Sequence, residues 1–281
     1  MHILVIGATG VLGRHVVPRL IERGHTVRAV ARKPEQAAQL QRIGVEATLG
    51  DILDATSLNP AAVSCDVALH LATAIPKPGG PQHWDVNDRI RREGTQNLLN
   101  ACRQAGVSRY VQQSTVFLYE DRYPALADET APFLPHPMLQ STYDMEALVK
   151  ESTLHWSILR GGFFYGPGTL ENAWRDAARQ GALQFPGDGS GRLSLIHVTD
   201  MARAVVLAAE QAPAQSVYNV VDDQPVTYAA LFAHLAAITG SVQPTAGGPA
   251  FLPSFSCSNA RLKTALGWSP TYPTYRSGLA Q

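Results

Sequence analysis

The chain has 281 residues, 45% of them apolar and 16% charged, which allows a sizeable buried core and excludes a disordered protein. Lys plus Arg equals Asp plus Glu at 23 each, so no general attraction to nucleic acid or to an anionic membrane is expected, and any phosphate must be held by a local site. No apolar run reaches the ~18 residues that span a bilayer. The three scattered cysteines, Cys65, Cys102 and Cys257, lack metal-ligand spacing and read as reduced thiols of a cytoplasmic protein.

In chain order, His2 to Ile6 is an apolar, β-branched run suited to a buried parallel strand. A glycine-rich turn follows, and Val11 to Arg23 has helical apolar spacing, closed by Gly24. Thr26 to Ala31 predicts a second strand, Glu35 to Ile43 a helix and Val45 to Leu49 a third strand. Asp66 to Leu71 predicts a fourth strand, Asp88 to Ala105 one long helix and Tyr110 to Thr115 a fifth strand. Leu139 to Ser152 predicts a helix and Trp156 to Arg160 a sixth strand. Such alternation predicts an α/β fold with a Rossmann-type, doubly wound parallel sheet over residues 1–160.

Beyond Arg160 the composition shifts. Residues 161–281 read mainly as a small C-terminal substrate lobe or lid, with about 196–222 returning to the core. Helices are predicted over Asn172 to Arg179, Met201 to Gln211 (capped by Thr199 or Asp200) and Tyr228 to Ile238, with a strand over Val217 to Val221. Pro244, Pro249, Pro253, Pro270 and Pro273 predict a mostly irregular tail.

Gly7, Ala8, Thr9, Gly10, Val11, Leu12 and Gly13 lie between a strand and a helix. In that setting glycines allow a tight turn, bring bare amides to a pyrophosphate and aim a helix N-terminus at it. The second strand ends Ala31-Arg32-Lys33, with no acidic residue before Glu35. Two cations suit a 2′-phosphate better than ribose hydroxyls, which selects NADP over NAD.

On these residues the chain resembles the extended short-chain dehydrogenases/reductases, the NAD(P)-dependent epimerase/dehydratase family. Further markers are Gly50-Asp51-Ile52, His70-Leu71-Ala72-Thr73, Gly94-Thr95, Ser114-Thr115, Tyr165-Gly166-Pro167-Gly168, the run Ile196 to Ala202, and Leu266-Gly267-Trp268. The resemblance implies that Asp51 bonds the adenine with Ile52 beside the ring, and that Leu71, Ala72 and Thr73 line the ribose and pyrophosphate. It also places Thr115 where a hydroxyl holds the substrate oxygen, and implies a homodimer through two long helices.

The family's Tyr, followed four residues later by Lys, is not matched. The register fixed by Glu146 and Val149 puts Met138 at the tyrosine position and Thr142 at the lysine position, whereas Tyr143 is followed by Ala147. Tyr143 is the remaining candidate proton donor beside Thr115. Lys150 reads as solvent-facing and His197 as a satisfied histidine. Asp222-Asp223 and the run Gly187 to Gly191 read as turns. Phe163 and Leu193 stand where nucleotide-sugar enzymes carry polar residues, so together with Phe164 and Met138 they predict an apolar substrate pocket. No metal cluster is expected. The sequence therefore supports an NADP-dependent oxidoreductase on a small, mainly apolar carbonyl or alcohol. A non-catalytic NADP-binding sensor or assembly protein is the alternative, and an epimerase or dehydratase with a borrowed acid/base a weaker one.

Overall fold

The computed structural model describes residues 1–76, 83–248 and 253–280. β1 (His2–Ile6) leads through the glycine turn to α1 (Gly13–Glu22), β2 (Thr26–Ala31), α2 (Pro34–Gln41), β3 (Glu46–Leu49), α3 (Ala55–Ala62) and β4 (Val67–His70). Then come α4 (Asp85–Arg89), a π-helical turn (Ile90–Gly94), α5 (Thr95–Ala105), β5 (Arg109–Thr115), α6 (Gln140–Glu151) and β6 (His155–Gly161). The rest comprises β7 (Phe163–Tyr165), α7 (Glu171–Arg179), β8 (Gln184–Pro186), β9 (Arg192–Leu193), β10 (Leu195–His197), α8 (Val198–Gln211), β11 (Ser216–Val220), β12 (Val226–Thr227), α9 (Tyr228–Thr239), β13 (Thr245–Gly248), α10 (Ala260–Leu266) and α11 (Tyr275–Leu279).

Seven strands form one sheet in the order β11-β6-β5-β4-β1-β2-β3, and β1–β2, β1–β4, β2–β3 and β4–β5 pair in parallel. The Rossmann-type doubly wound order is therefore present, with its reversal between β1 and β4. Ile3, Leu4 and Val5 are all wholly buried. Successive strand residues point to opposite faces, so β1 is covered on both, as its unbroken apolar run predicts.

The chain divides into two units. The first comprises residues 1–114, 136–159 and 202–217; the second comprises 115–135, 160–201 and 218–281. The core of the first joins Leu4, Ile6, Leu58, Ala68, Leu98, Tyr110, Val149 and Ile158. That of the second joins Phe163, Tyr165, Leu193, Leu195, Leu231, Phe232, Phe255 and Tyr275.

Four local expectations are corrected or extended. The predicted long helix starts at Asp85 and is broken by the π turn, where one extra residue per turn is accommodated before α5. α3 is additional: Asp54 caps it by accepting from the Thr56 amide at 3.0 Å, and Pro60 and Asn59 hide its helical pattern. α8 begins at Val198, so neither Thr199 nor Asp200 is its cap. The tail is mostly irregular as expected, but the two short helices in it, α10 and α11, are additional; Pro249 falls outside the described residues.

Candidate functional site

β1 delivers the chain into the turn at Gly7, whose φ of +91° lies in the left-handed region. A Cβ there would stand 2.7 Å from the Ala72 amide nitrogen and 2.7 Å from the Leu71 carbonyl carbon, both backbone atoms leaving β4. The Gly10 amide donates to the Gly7 carbonyl at 3.0 Å and closes the turn. On Gly13, the first residue of α1, a Cβ would lie 2.2 Å from the Gly7 carbonyl oxygen. Bare backbone is thus pressed together at the first and third glycines, and α1 has no side-chain cap at its N-terminus. Such a cradle fits the pyrophosphate of a dinucleotide: amides can approach, the helix end carries partial positive charge, and no side chain intrudes. Ala8 and Leu12 are buried beneath it, Val11 is exposed, and the Thr9 carbonyl accepts from Arg14 Nε at 3.0 Å.

The other cofactor-side candidates also belong to the first unit. Arg32 and Lys33 follow β2 and are exposed. After β3, the Asp51 carboxylate accepts from the Leu53 amide at 2.9 Å, which fixes its direction. Ile52 is buried; its carbonyl accepts from Asn97 Nδ2 at 3.1 Å, and a Cβ on Gly94 would touch its side chain at 3.1 Å. After β4, Leu71 is buried, Ala72 half-buried and Thr73 exposed. The turn after β1 and the segment after β4 therefore meet at the point where the strand order reverses, the usual ligand crevice of such sheets.

Among the residues considered for proton handling, Ser114 Oγ donates to Glu146 Oε1 at 2.7 Å, and Lys150 Nζ donates to Glu146 Oε2 at 3.0 Å. Glu146 is buried and Lys150 is exposed, as expected of a solvent-facing lysine, with its ammonium reaching back to the Glu146 carboxylate. Tyr143 sits half-buried on α6; burial first, and then the Glu146 charge, raise its phenol pKa above the ordinary value. Thr142 is wholly buried with its hydroxyl unpartnered. Met138, expected in an apolar pocket, stands on the short turn before α6 with 54% of its surface exposed.

Thr115 ends β5, and its Oγ1 accepts from the Phe117 amide at 3.3 Å, leaving the hydroxyl hydrogen available. In the second unit, Phe163 stacks on Trp174 with centroids 5.3 Å apart and shares a packed core with wholly buried Leu193; Phe164 is half-buried. Phe163 and Leu193 are thus brought together, as core. His197 is buried edge-on to Tyr165 and 4.1 Å from the Tyr272 ring, and its Nδ1 accepts from the Thr199 amide. Asp222 is no turn residue: it is buried, Tyr165 OH donates to its Oδ2 at 3.3 Å, and burial raises its pKa well above the carboxylate range. Among the described residues no group of His, Cys, Asp and Glu could hold a metal, and no helix is long and apolar enough to cross a membrane.

Residues 7–212 match the family model described as NAD(P)H-binding. The chain belongs to that NAD(P)H-binding family. It is 34% identical over 308 aligned residues, covering 100% of both proteins, to the 3-diazoavenalumate denitrifying reductase of a Streptomyces species. It is also 28% identical, over 80% of its own length and 70% of the other's, to the 4-hydroxy-2-methyl-3-oxo-4-farnesyl-3,4-dihydroquinoline-1-oxide ketoreductase of Stigmatella aurantiaca. The fold is shared with a UDP-glucose 4-epimerase from Thermotoga maritima, at a TM-score of 0.85 and 24% identity, covering 100% of this chain and 96% of that one.

Within this NAD(P)H-binding frame, several polar groups that the sequence marks without partners find them in the structure. Arg160 is buried, donates to Tyr119 OH and lies over the Tyr119 and Phe133 rings. Tyr119 OH in turn donates to Asn219 Oδ1 at 2.8 Å, and the Asn219 amide to Glu129 at 2.7 Å. The buried Asp200 carboxylate accepts from the Thr271 and Tyr272 amides, both at 2.9 Å, and pins the C-terminal segment. These partners lie 41 to 100 residues apart in sequence, beyond any local pattern.

Proposed function

We propose that this chain is an NADP(H)-dependent reductase of a small, mainly apolar electrophile. The observation that carries the reading is the backbone-on-backbone cradle at Gly7 and Gly13, beside the segment leaving β4. Gly7 to Gly13 take the pyrophosphate, Arg32 and Lys33 the 2′-phosphate, Asp51 and Ile52 the adenine, and Leu71 to Thr73 the ribose path. When bound, the cofactor supplies the hydride. Thr115 donates its hydroxyl hydrogen to the substrate oxygen, and orientation alone lowers the barrier by several kcal/mol. Of the apolar candidates, Phe163 and Leu193 are spent in the core and Met138 faces solvent, so half-buried Phe164 is the one left to meet an apolar substrate. Reduced, buried cysteines fit a cytoplasmic setting, and the assembly we propose is a homodimer.

The α6 residues support one kind of electrophile over another. Tyr143 is raised in pKa rather than lowered, and four residues beyond it stands Ala147. A reaction that needs no proton from the protein at the reacting atom suits this arrangement. A carbonyl can take its proton from water after hydride addition. An arenediazonium needs none: hydride forms the new C–H bond, the C–N bond breaks, and dinitrogen leaves with its electron pair. The Streptomyces relative, named as a denitrifying reductase of a diazo compound, supports including this second class.

The test follows reduced-nicotinamide absorbance with NADPH and NADH against a panel of alkyl and aryl ketones, aldehydes and benzenediazonium. Turnover with NADPH on at least one member is expected, and Thr115→Ala should abolish ketone turnover while NADPH affinity stays unchanged. NADPH binding without turnover on the whole panel would replace the reductase with the non-catalytic sensor or assembly protein. No binding of either cofactor would overturn the reading altogether.

A further inference from the structure

The π turn at Ile90–Gly94 carries a cation that no step above uses. Arg91 is half-buried in the first unit, and its Nη1 donates to Ser141 Oγ on α6 at 3.1 Å. Among the described residues no carboxylate stands within ion-pair distance of it, although Arg89 and Arg92, its neighbours in sequence, pair with Glu93 and Asp144. A guanidinium has five N–H donors, and a single neutral hydroxyl leaves most of that capacity unmet. Burial lowers its pKa to about 10, with the charge of Asp88, which lies beyond ion-pair distance, opposing the shift, so it remains a cation at neutral pH.

The neighbourhood adds independent polar groups without partners. Asn87, Arg91 and Thr95 recur at four-residue spacing along α4, the π turn and α5, and so share one face. Asn87 and Thr95 are wholly buried, yet among the described residues Asn87 Nδ2 and Thr95 Oγ1 have no hydrogen-bond partner. Across from them, Thr142 follows Ser141 on α6 and is likewise buried with Oγ1 unpartnered. Buried polar atoms are almost always paired in native proteins, so three unpaired ones on the elements that carry Arg91 and its serine partner are left unexplained by the fold alone. π turns themselves occur often at functional sites.

We propose that Arg91, with Ser141, Thr142, Thr95 and Asn87, forms a subsite for an oxyanion carried by the substrate, a carboxylate in the first instance. This deepens the reductase reading and rests on it. Arginine meets a carboxylate through two parallel N–H···O bonds, and the hydroxyls and the Asn87 amide hydrogens can donate to the remaining lone pairs. A neutral sugar hydroxyl would leave the charge uncompensated. The dinucleotide's phosphates are assigned to the glycine cradle and Arg32, which leaves the substrate as the source of the anion.

The test uses the full chain saturated with NADPH and titrates benzoate and benzamide as a matched pair, reading melting temperature and reduced-nicotinamide fluorescence. Wild type should bind benzoate at least tenfold more tightly than benzamide. Arg91→Gln should remove that preference and leave NADPH affinity unchanged, and Arg91→Lys, which keeps the charge, should restore part of it. If Arg91→Gln weakens NADPH instead and leaves benzoate binding intact, the oxyanion is the cofactor's own and the proposal fails. If wild type shows no preference for benzoate while NADPH still binds, the subsite is wrong and the reductase stands. Loss of NADPH binding by wild type would strike the underlying reading, not the subsite. Should Arg91→Gln fail to fold, the Arg91→Lys and Thr142→Val variants decide the question by the same benzoate-to-benzamide ratio.

Discussion

Adding one methyl group at each of three glycines separates the backbone reasons that the cradle combines. Gly24, just past α1, has φ of +77° and open space around its Cβ position, so Gly24→Ala meets only the left-handed penalty, about 1 kcal/mol. Gly13 has no positive φ, but a Cβ there would stand 2.2 Å from the Gly7 carbonyl oxygen and 2.6 Å from Ala8 backbone atoms. Since carbon and oxygen cannot approach within about 3 Å, α1 must move by the better part of an ångström, at a cost of about 1–3 kcal/mol for overpacking. Gly7→Ala suffers both effects, for a total of about 2–5 kcal/mol. Urea unfolding of the three variants, with an NADPH titration of each, reads both consequences. Stability should fall in the order Gly24→Ala, Gly13→Ala, Gly7→Ala, and NADPH binding should survive only in the first. A Gly13→Ala protein as stable as Gly24→Ala and still able to bind NADPH would refute the claim that close backbone contact builds the site.

Arg32→Ala should weaken NADPH binding at least tenfold and leave NADH unchanged in paired titrations, with the difference shrinking as salt rises because the side chain is exposed. Glu146→Ala removes the acceptor of the buried Ser114 hydroxyl and should lower stability by about 2–3 kcal/mol, whereas Glu146→Gln keeps that acceptor and should lose less than about 1 kcal/mol in the same urea measurement. Asp222 holds its proton more tightly folded than unfolded, so its favourable contribution is complete below the usual carboxylate range and fades as pH rises through its elevated pKa. Asp222→Asn should therefore raise stability near pH 8 by more than about 1 kcal/mol and change little near pH 4.

The first half of the fold was legible because each signal was local. β1 reads as an apolar run, Gly24 as a helix stop, and the glycine spacing as a turn whose third member must pack against its first. The π turn was not legible, since Ile90 to Gly94 has ordinary helical composition and the extra residue shows only in which side chains reach α6. α3 was hidden by Asn59 and Pro60 inside a helix that Asp54 nevertheless caps. The C-terminal segment read as irregular because its prolines dominate the pattern, yet Asp200 holds the Thr271 and Tyr272 amides from 71 and 72 residues away. Contacts at that range leave no spacing to count.

The candidate chemistry divides along the same line. Residues that act through backbone, such as Gly7 and Gly13, announce themselves in sequence because only glycine can satisfy the geometry. Residues that act through side chains do not, because Arg91, Arg89 and Arg92 form one basic run whose members are distinguished only by their partners. Two of those arginines are neutralised by Glu93 and Asp144 and are ordinary surface charge. The third leaves the π turn to meet a serine on α6. A charge that could have been paired on the surface, as its neighbours are, is instead held half out of water at a desolvation cost. Ser141 and the charge of Asp88 offset part of that cost, and on the subsite proposal a negative group on the ligand offsets more, which makes ligand charge the variable to test first when the substrate is sought.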